Sequence, residues 1–596
     1  MVRRPVFPRS PGRGVVLMCV QPQSWPEPAP EVAAAVRAAY RRRESPLPVT
    51  IRDRLGELFP DREFTEAFGV RGRPGWSPGR LALITVLQMA ENLTDRQAAE
   101  AVRDKISWKY ALGLGLDEEG FDASVLAEFR ARVLAHNLEQ RVLELLLEVL
   151  KAEGLVTPRG RQRTDSTHVI SAVRDLNRLE LAGESVRAAV EALAAAAPGW
   201  LAGVVDVADW AHRYGARVDS WRLPASKAKR ADLAGDFGRD ALRLLRAVYA
   251  EQAPGWLREL PAVDVLRRVL VQNYVLGTDT SGREVIRMRE AADGLPPGRV
   301  RISSPYDPDA RWAAKGADLI WNGYKVHLTE TCDPPAQHPA QHPPEETVGQ
   351  RPNLIVSVTT TDASVPDSAM VEPIHATLAQ RTLLPGEHLL DSGYPSVAAV
   401  LQTARRWDVT LVSPLRADQS RQARDGTGYD RTAFTLDFDA RQARCPQGQT
   451  STWWTPTRAQ RGTEKIKIGF TADTCRPCPV RQQCTRSTLS HGIGRQLAVP
   501  PREVYQAQQA ARAEQSTFDW RTRYAARAGI EGTIGQGLAV TNLRYARYRG
   551  LPKTRLQHVF SAVALNLIRL SAYWNGHPLD RTRTSHLTRL DLALAA

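Results

Sequence analysis

Three acidic residues in this sequence stand where carboxylates could be gathered on divalent metal ions: Asp165, Asp391 and Glu531. Asp165 lies in Arg163-Thr164-Asp165-Ser166-Thr167-His168-Val169, among β-forming neighbours that would make an unpartnered carboxylate costly to bury. Asp391 follows the short apolar run Glu387-His388-Leu389-Leu390 and leads into Ser392-Gly393-Tyr394-Pro395. It therefore marks the carboxyl end of a strand, where ligand groups of open α/β sheets tend to sit. Glu531 falls in a helical segment with Tyr524 and Arg527 at i, i+3 and i+7, a spacing that projects all three from one face. Taken singly, Asp391 also reads as an Asx-turn closing a strand, and Glu531 as part of a solvated ion-pair face. Taken together, two strand-borne aspartates and a helix-borne glutamate supply hard oxygen ligands for two Mg2+ ions. Phosphodiester chemistry needs that clamp because negative charge develops on both the attacking and the departing oxygen.

Two further groups of residues carry chemistry. Cys445, Cys475, Cys478 and Cys484 contain a tight Cys-x-x-Cys pair and could complete a tetrahedral thiolate zinc site; the alternative is four unbound cysteines in an irregular insertion. Downstream of Glu531, Arg544, Tyr545, Arg547, Tyr548 and Arg549 interleave guanidinium groups with aromatic rings, and Lys553 and Arg555 continue the basic run. Arginines can grip phosphates while tyrosines pack on sugars or bases, so this segment is a candidate DNA track.

The surrounding pattern indicates what positions these groups. Pro78 precedes Leu81, Ile84 and Leu87 at helical spacing, and Thr94 with Gln97 reads as a capping box for a second helix carrying Ala98 and Val102. Leu126, Phe129, Leu134 and Leu138 mark a third helical run, and Leu143 to Val149 a fourth. From Leu181 to Ala250 the pattern is helical again, which predicts a helical insertion or subdomain. Gly323 to Leu328 and Leu354 to Val358 alternate and are rich in β formers, so two strands are expected there. The Pro-, His- and Gln-rich stretch from Asp333 to Arg351 reads as an exposed loop between them. A helix over Met370–Ala379, the strand ending at Leu390 and another strand over Val409–Ser413 complete an α/β core with a central sheet. The apolar run Val559 to Leu570 is most simply a packed core helix.

With 596 residues, at least two hydrophobic cores are expected. Lys and Arg number 80 against 65 Asp and Glu, a net charge of +15, which suggests a polyanionic partner, although Arg- and Ala-rich chains also drift basic without one. No apolar run approaches the roughly 20 residues needed to cross a bilayer, and the basic, proline-interrupted start lacks a secretory cleavage pattern. A cytoplasmic, DNA-associated location is the expectation. Cys19 and Cys332 read as ordinary thiols.

The motifs resemble, in order and company, those of the DDE transposases of bacterial insertion sequences. Thr164-Asp165-Ser166-Thr167 is similar to that family's first-aspartate strand, and Asn322-Gly323-Tyr324-Lys325-Val326-His327 to the strand beside it. Leu390-Asp391-Ser392-Gly393-Tyr394 resembles the second-aspartate motif, with Ser392 where Gly is commoner. Tyr524, Arg527 and Glu531 reproduce the signature around the last acid; that signature commonly ends in Lys where this chain has Leu538. Arg73 to Arg130 resembles the family's helical domain, so the likeness runs from about residue 60 to 575.

The resemblance implies an α/β ribonuclease-H-like core, a mixed central sheet with flanking helices, together with an N-terminal all-helical domain, a helical insertion and a cysteine-containing insertion. The expected boundaries are a leader over 1–60, a helical DNA-end-binding domain over 61–157, and a first core part over 158–430 with the insertion at about 172–300. The cysteine insertion then covers 431–495, the second core part with the Glu531 helix 496–575, and a tail 576–596. Asp165, Asp391 and Glu531 would be catalytic Mg2+ ligands (Mn2+ can substitute), supported by Tyr524, Arg527 and Lys325, with a structural Zn2+ as a second candidate metal. The implied activity is binding of terminal inverted repeats, strand cleavage and transfer to target double-stranded DNA, with a homodimer in the synaptic complex and no membrane. A related nuclease without strand transfer and a non-catalytic DNA-binding descendant are the alternatives.

Overall fold

The structure, a computed structural model, describes residues 18–19, 24–68, 73–316, 318–333, 351–415, 420–426, 428–459, 462–488 and 490–577. Residues 1–17 and 20–23 of the Pro-rich leader, nearly all of the expected loop after Asp333 and all but the first residues of the tail lie outside them. The chain divides into two compact units, one of Met1–Thr157, Asp165–Pro366 and Gly529–Ala596, the other of Pro158–Thr164 and Asp367–Ala528.

In the first unit the N-terminal helices are α1 (Pro30–Tyr40), α2 (Leu47–Leu55), α3 (Pro78–Ala90), α4 (Asp95–Asp104), α5 (Ile106–Leu112), α6 (Ser124–Ala135) and α7 (Arg141–Ala152). The starts follow local chemistry. Ser77 accepts from the Arg80 N–H ahead of α3, and Thr94 and Gln97 form the expected reciprocal capping box at α4. Helices α1 and α2 fall in the stretch expected to be a leader; Val32, Val36 and Val49 bury together, packed by Ile106 and Tyr110 from α5, which gives these short helices the apolar face they need.

Strand β1 (Arg161–Ile170) belongs to both units: its first four residues fall in the second, and the rest, from Asp165, in the first. The insertion follows, with helices α8 (Arg178–Ala196), α9 (Pro198–Val204), α10 (Val207–Tyr214), α11 (Lys227–Val248) and α12 (Pro261–Asn273) and a hairpin of β2 (Tyr274–Thr278) and β3 (Glu284–Met288). It has its own core, in which Val186, Trp210, Tyr214, Phe237, Leu244 and Leu266 meet. Next come β4 (Arg311–Lys315), β5 (Leu319–Thr331) and β6 (Ile355–Asp362), with β5 antiparallel to both of the others. Strand β5 also neighbours β1. Gly323 permits that approach: its φ is +152°, and a Cβ there would stand 2.2 Å from the Val169 carbonyl oxygen. The glycine of the Asn322-Gly323-Tyr324 motif is therefore a packing requirement of the sheet.

The helix Leu551–Trp574 is the hub of this unit, packed against α3, α7 and β6 with Leu556, Val559, Phe560, Val563, Leu567 and Leu570 all buried. Its polar residues are committed too. The Asn566 amide accepts from the Ile355 N–H at 2.7 Å and donates to the Ile355 carbonyl at 2.8 Å, replacing a strand partner at the start of β6. No helix among the described residues is long and apolar enough to cross a membrane.

In the second unit β1 pairs in parallel with β7 (Glu387–Leu390), Arg161 opposite Glu387 through Thr164 opposite Leu390, and β7 pairs in parallel with β8 (Thr410–Val412). A helix over Val371–Gln380 precedes β7 and one over Val397–Trp407 follows it. The cysteine-containing stretch forms a small hairpin, Thr435–Asp437 with Gln442–Arg444, and a three-stranded antiparallel sheet of Trp453–Arg458, Glu464–Thr471 and Ile493–Val499. The architecture is mixed α/β, compatible with a ribonuclease-H-like core.

Beneath β1 and β7 runs a buried polar chain. Thr164 Oγ1 meets His388 Nε2 at 2.7 Å, and His388 Nδ1 meets His375 Nε2 at 2.9 Å. Burial holds His388 well below its ordinary pKa, with His375 beside it adding to the effect; burial pushes His375 down to about 4 despite the favourable charge of Glu372. Both rings are neutral in the folded protein at pH 7, while the unfolded chain takes up their protons near pH 6.5. Between those values the unfolded state binds more protons, so stability is full above about pH 6.5 and falls as the pH drops toward 4, by roughly 3 kcal/mol for His375 alone. The urea midpoint of the wild type should fall over that window, and a His375→Phe, His388→Leu variant should show a flatter profile; equal slopes would place the acid sensitivity elsewhere.

Candidate active site

Asp165 sits on β1, half-buried, with Oδ1 accepting from the Ser166 N–H at 2.7 Å. It directly follows Thr164, the register partner of Leu390, and Asp391 directly follows Leu390. Each aspartate is thus one residue beyond a paired position on two parallel strands. Asp391 begins the expected turn: its carbonyl accepts from the Tyr394 N–H at 3.0 Å and from Ser413 Oγ at 3.2 Å, leaving the side chain outside those bonds. Gly393 lies beside two carboxylates: a Cβ there would stand 3.7 Å from Asp391 Oδ2 and 3.6 Å from Asp367 Oδ2, both ordinary contact distances. Asp367 was not singled out by sequence; its signal, an acid in the turn after a strand, is too common to stand out.

Glu531 is exposed in the first turn of the helix Gly529–Thr541, where the helix dipole favours a carboxylate. That helix is fastened to the sheet through the fully buried Glu330 of β5, whose Oε2 accepts from Thr533 Oγ1 at 2.5 Å and from Arg569 at 2.8 Å. Arg569 also donates to Gln536 at 2.9 Å and Thr533 at 2.6 Å, so one guanidinium on the hub helix locks the Glu531 helix to β5. A buried ion pair of this kind tolerates little: losing one partner strands the other charge. On β5 itself, Lys325 donates to the Val365 carbonyl at 2.9 Å.

The single helical face expected for Tyr524, Arg527 and Glu531 does not form. The helix Phe518–Ala525 ends, a 3-10 turn occupies Ala526–Ala528, and a new helix begins at Gly529. The 3.6-residue period needed for an i, i+7 alignment is lost at the turn. Tyr524 instead stacks on Trp520 at 4.9 Å between centroids, with the Arg527 guanidinium 5.9 Å from its ring. Two bonds within the second unit hold this stretch: Arg523 to Glu387 of β7 at 2.7 Å, and Arg163 of β1 to the Ala526 carbonyl at 2.5 Å.

The basic segment is also corrected. It does not form a continuous exposed track, because Arg547, Tyr548 and Arg555 are half-buried in contacts within the first unit. Its backbone extends the end of β1, with Ile170 N–H donating to the Arg544 carbonyl at 2.7 Å and Ala546 N–H to the Ile170 carbonyl at 2.9 Å. Arg547 is turned inward, donating to the Leu93 carbonyl at 2.6 Å and to Asn92, and Tyr548 is half-buried beneath Arg130, 4.7 Å from its ring. Arg130 in turn pairs with Asp95 at 2.6 Å. Burial lowers the Arg547 pKa and raises that of Tyr548. Arg555 lies 3.9 Å from Glu139. Tyr545, Arg549 and Lys553 are exposed and Arg544 half-buried, so those four keep the possibility of meeting DNA.

Cys445, Cys475, Cys478 and Cys484 are free thiols lining one pocket of about 420 Å³. Burial pushes the Cys484 thiol up to about 11, opposed by the nearby Arg495 and reinforced by the other three cysteines. The Arg495 N–H points at Cys475 Sγ at 3.4 Å. Among the described residues, no group of three or more His, Cys, Asp or Glu side chains is already drawn into a metal-ligating arrangement.

The geometry defines a mixed α/β protein with one acid within β1 and another just past the end of β7, its parallel neighbour. Comparison with known families makes it specific: residues 444–571 match a model described as Transposase DDE domain, and residues 41–132 match one described as Transposase domain. Together the two matches support a DDE transposase of an insertion sequence. The first contains Glu531 and all four clustered cysteines; the second spans α2 to the body of α6. No curated protein matches the chain.

Arg547→Ala should act as a stability defect. It leaves the Leu93 carbonyl and Asn92 without their donor, at a cost of about 1–3 kcal/mol. Urea unfolding should show that loss, whereas an exposed Lys553→Ala control should leave the midpoint unchanged; unaltered stability of the Arg547 variant would return that residue to the candidate DNA surface.

Proposed function

We propose that this protein binds the terminal inverted repeats of its element and uses Asp165, Asp391 and Glu531 to cut a DNA strand and join its 3′ end to target DNA. The observation that carries the reading is the register of β1 and β7, which sets Asp165 and Asp391 each one residue past the Thr164–Leu390 pair, in a chain with two transposase-domain matches. An aspartate within β1, another just past β7 and a glutamate at a helix start would, if brought together, supply hard oxygen ligands suited to Mg2+ or Mn2+. When bound, such ions activate the attacking oxygen and stabilise the leaving one. The chain's own part is to hold the acids: the strand pairing fixes the aspartates, and the Glu330–Arg569 pair fixes the helix bearing Glu531.

Purified protein with Mg2+, end-labelled element termini and a target plasmid should yield joined products. Asp165→Asn, Asp391→Asn and Glu531→Gln should each abolish cleavage while leaving most end binding intact. Cleaved but unjoined ends would favour a nuclease, and binding without cleavage a non-catalytic descendant.

We further propose that the four clustered cysteines would hold a structural zinc as thiolates, their protons being released to solvent. Their shared pocket supports this, as does the thin core around them, chiefly Phe434, Ile468, Phe470, Leu497 and Val499, which a metal would brace. Protein purified without chelator should carry about one zinc per chain, and Cys478→Ser should release it. Reduced, folded protein devoid of zinc would overturn the proposal.

A further inference from the structure

At the far end of β1 from its pairing with β7, within the first unit, lies a polar pocket of about 370 Å³. Four arginines, Arg174, Arg187, Arg217 and Arg549, line it against two carboxylates, Glu184 and Asp219, so its walls carry an excess of positive charge. The arginines are not equivalent. Arg187 is held by Glu184 at 3.1 Å and by the Tyr306 hydroxyl, and Arg174 by Glu180 at 3.1 Å and Asp219 at 3.2 Å. Arg217 and Arg549 are exposed, and among the described residues neither has a carboxylate partner within ion-pair distance. Arg549 and Arg187 lie 5.8 and 5.7 Å from the ring of Tyr306. Two neutralised guanidiniums thus form the frame and two unneutralised ones the mouth, beside an aromatic ring.

We propose that this pocket binds a backbone phosphate of the DNA strand being processed, with Arg217 and Arg549 gripping it directly and Tyr306 beside the adjoining sugar or base. Such an anion supplies the negative charge that the pocket's own carboxylates do not. The fold also sets the distance. Ala172 and Val173, in the pocket wall, lie just past the end of β1, and Asp165 lies upstream on the same strand. Seven residues at about 3.3 Å each reach at most about 23 Å. A DNA strand advances about 3.4 Å per nucleotide, so the backbone span from Asp165 to the pocket wall corresponds to about seven nucleotides, and the bound phosphate is expected roughly that far from the one attacked. That distance rests on Asp165 being a ligand of the catalytic metals; the phosphate site does not.

The test uses full-length Arg217→Gln, Arg549→Gln protein and a duplex carrying the element terminus, with single neutral methylphosphonates placed in turn at each of about ten positions from the cleaved bond, a range exceeding the expected reach. The wild type should lose affinity severalfold at one or two positions roughly seven nucleotides away. The double variant should bind the unmodified duplex more weakly, with a log–log salt slope smaller by roughly 0.9 for each phosphate it no longer neutralises, and should show no further loss at those positions. Arg217→Lys, Arg549→Lys, which keeps the charge, should retain the salt slope, and matched urea midpoints exclude a folding defect. Saturable pyrophosphate binding that the double variant lacks and that leaves the wild type's DNA affinity unchanged would assign the pocket to a free phosphate ligand and overturn the proposal. Wild-type affinity and slope in the double variant would also overturn it. If the wild type cuts and joins and Asp165→Asn does not, that failure belongs to the pocket alone. If Asp165→Asn cuts normally while the methylphosphonate effect persists, it is the catalytic reading that fails.

Discussion

Strand β1 has to satisfy two sets of partners along ten residues, and most of the candidate site follows from that double obligation. Its first four residues are hydrogen-bonded to β7 and its last to the Arg544–Ala546 segment, with Gly323 of β5 pressed against the Val169 carbonyl. A strand tied at both ends cannot slip, because a one-residue shift would send every side chain to the opposite face. The Thr164–His388–His375 chain reinforces the register from below, since a slipped Thr164 would abandon a neutral imidazole in the core. Asp165 is the residue at which the strand passes from one set of partners to the other.

Glu531 reaches its position by a different device. Its helix has a mostly small and apolar sequence, Gly529–Thr541, with little intrinsic reason to hold one orientation. What orients it is a charge pair at the bottom of the sheet, Glu330 with Arg569, into which Thr533 and Gln536 are wired. Three bonds from one planar guanidinium define an angle as well as a distance, which a lysine could not do. The acid at the solvent end is thus oriented by an acid at the buried end.

Much of this was legible in the sequence, and the limits were physical. The capping box at Thr94, the strand Glu387–Leu390 and the apolar helix beyond Val559 were readable because each depends on neighbours in the chain. Glu330 and Arg569 were not, because an acid within a strand and an arginine on a helix look like surface residues until their separation in space is known. The break at Ala526–Ala528 escaped for the same reason: nothing in Tyr524-Ala525-Ala526-Arg527-Ala528 opposes a continuous helix, and the turn is imposed by what Arg163 and Arg523 hold on the neighbouring strands.

The alternation of arginine and tyrosine after Arg544 misleads in an instructive way. Periodicity assigns faces only where the backbone has a period, and this stretch is neither helix nor regular strand. Freed from that constraint, Arg547 points into the turn at Asn92-Leu93 and Tyr548 lies under Arg130, while Arg549, two residues on from Arg547, faces the pocket beside Tyr306. Buried and exposed guanidiniums are chemically identical in sequence; they differ in whether carbonyls or carboxylates of the same chain satisfy them first. Arg547 finds two acceptors and becomes part of the packing, whereas Arg217 and Arg549 find no carboxylate among the described residues and retain their charge for a ligand from outside. A basic chain's capacity for nucleic acid is therefore set by the remainder left after internal pairing, and that remainder can gather far in sequence from the motif that first suggested it.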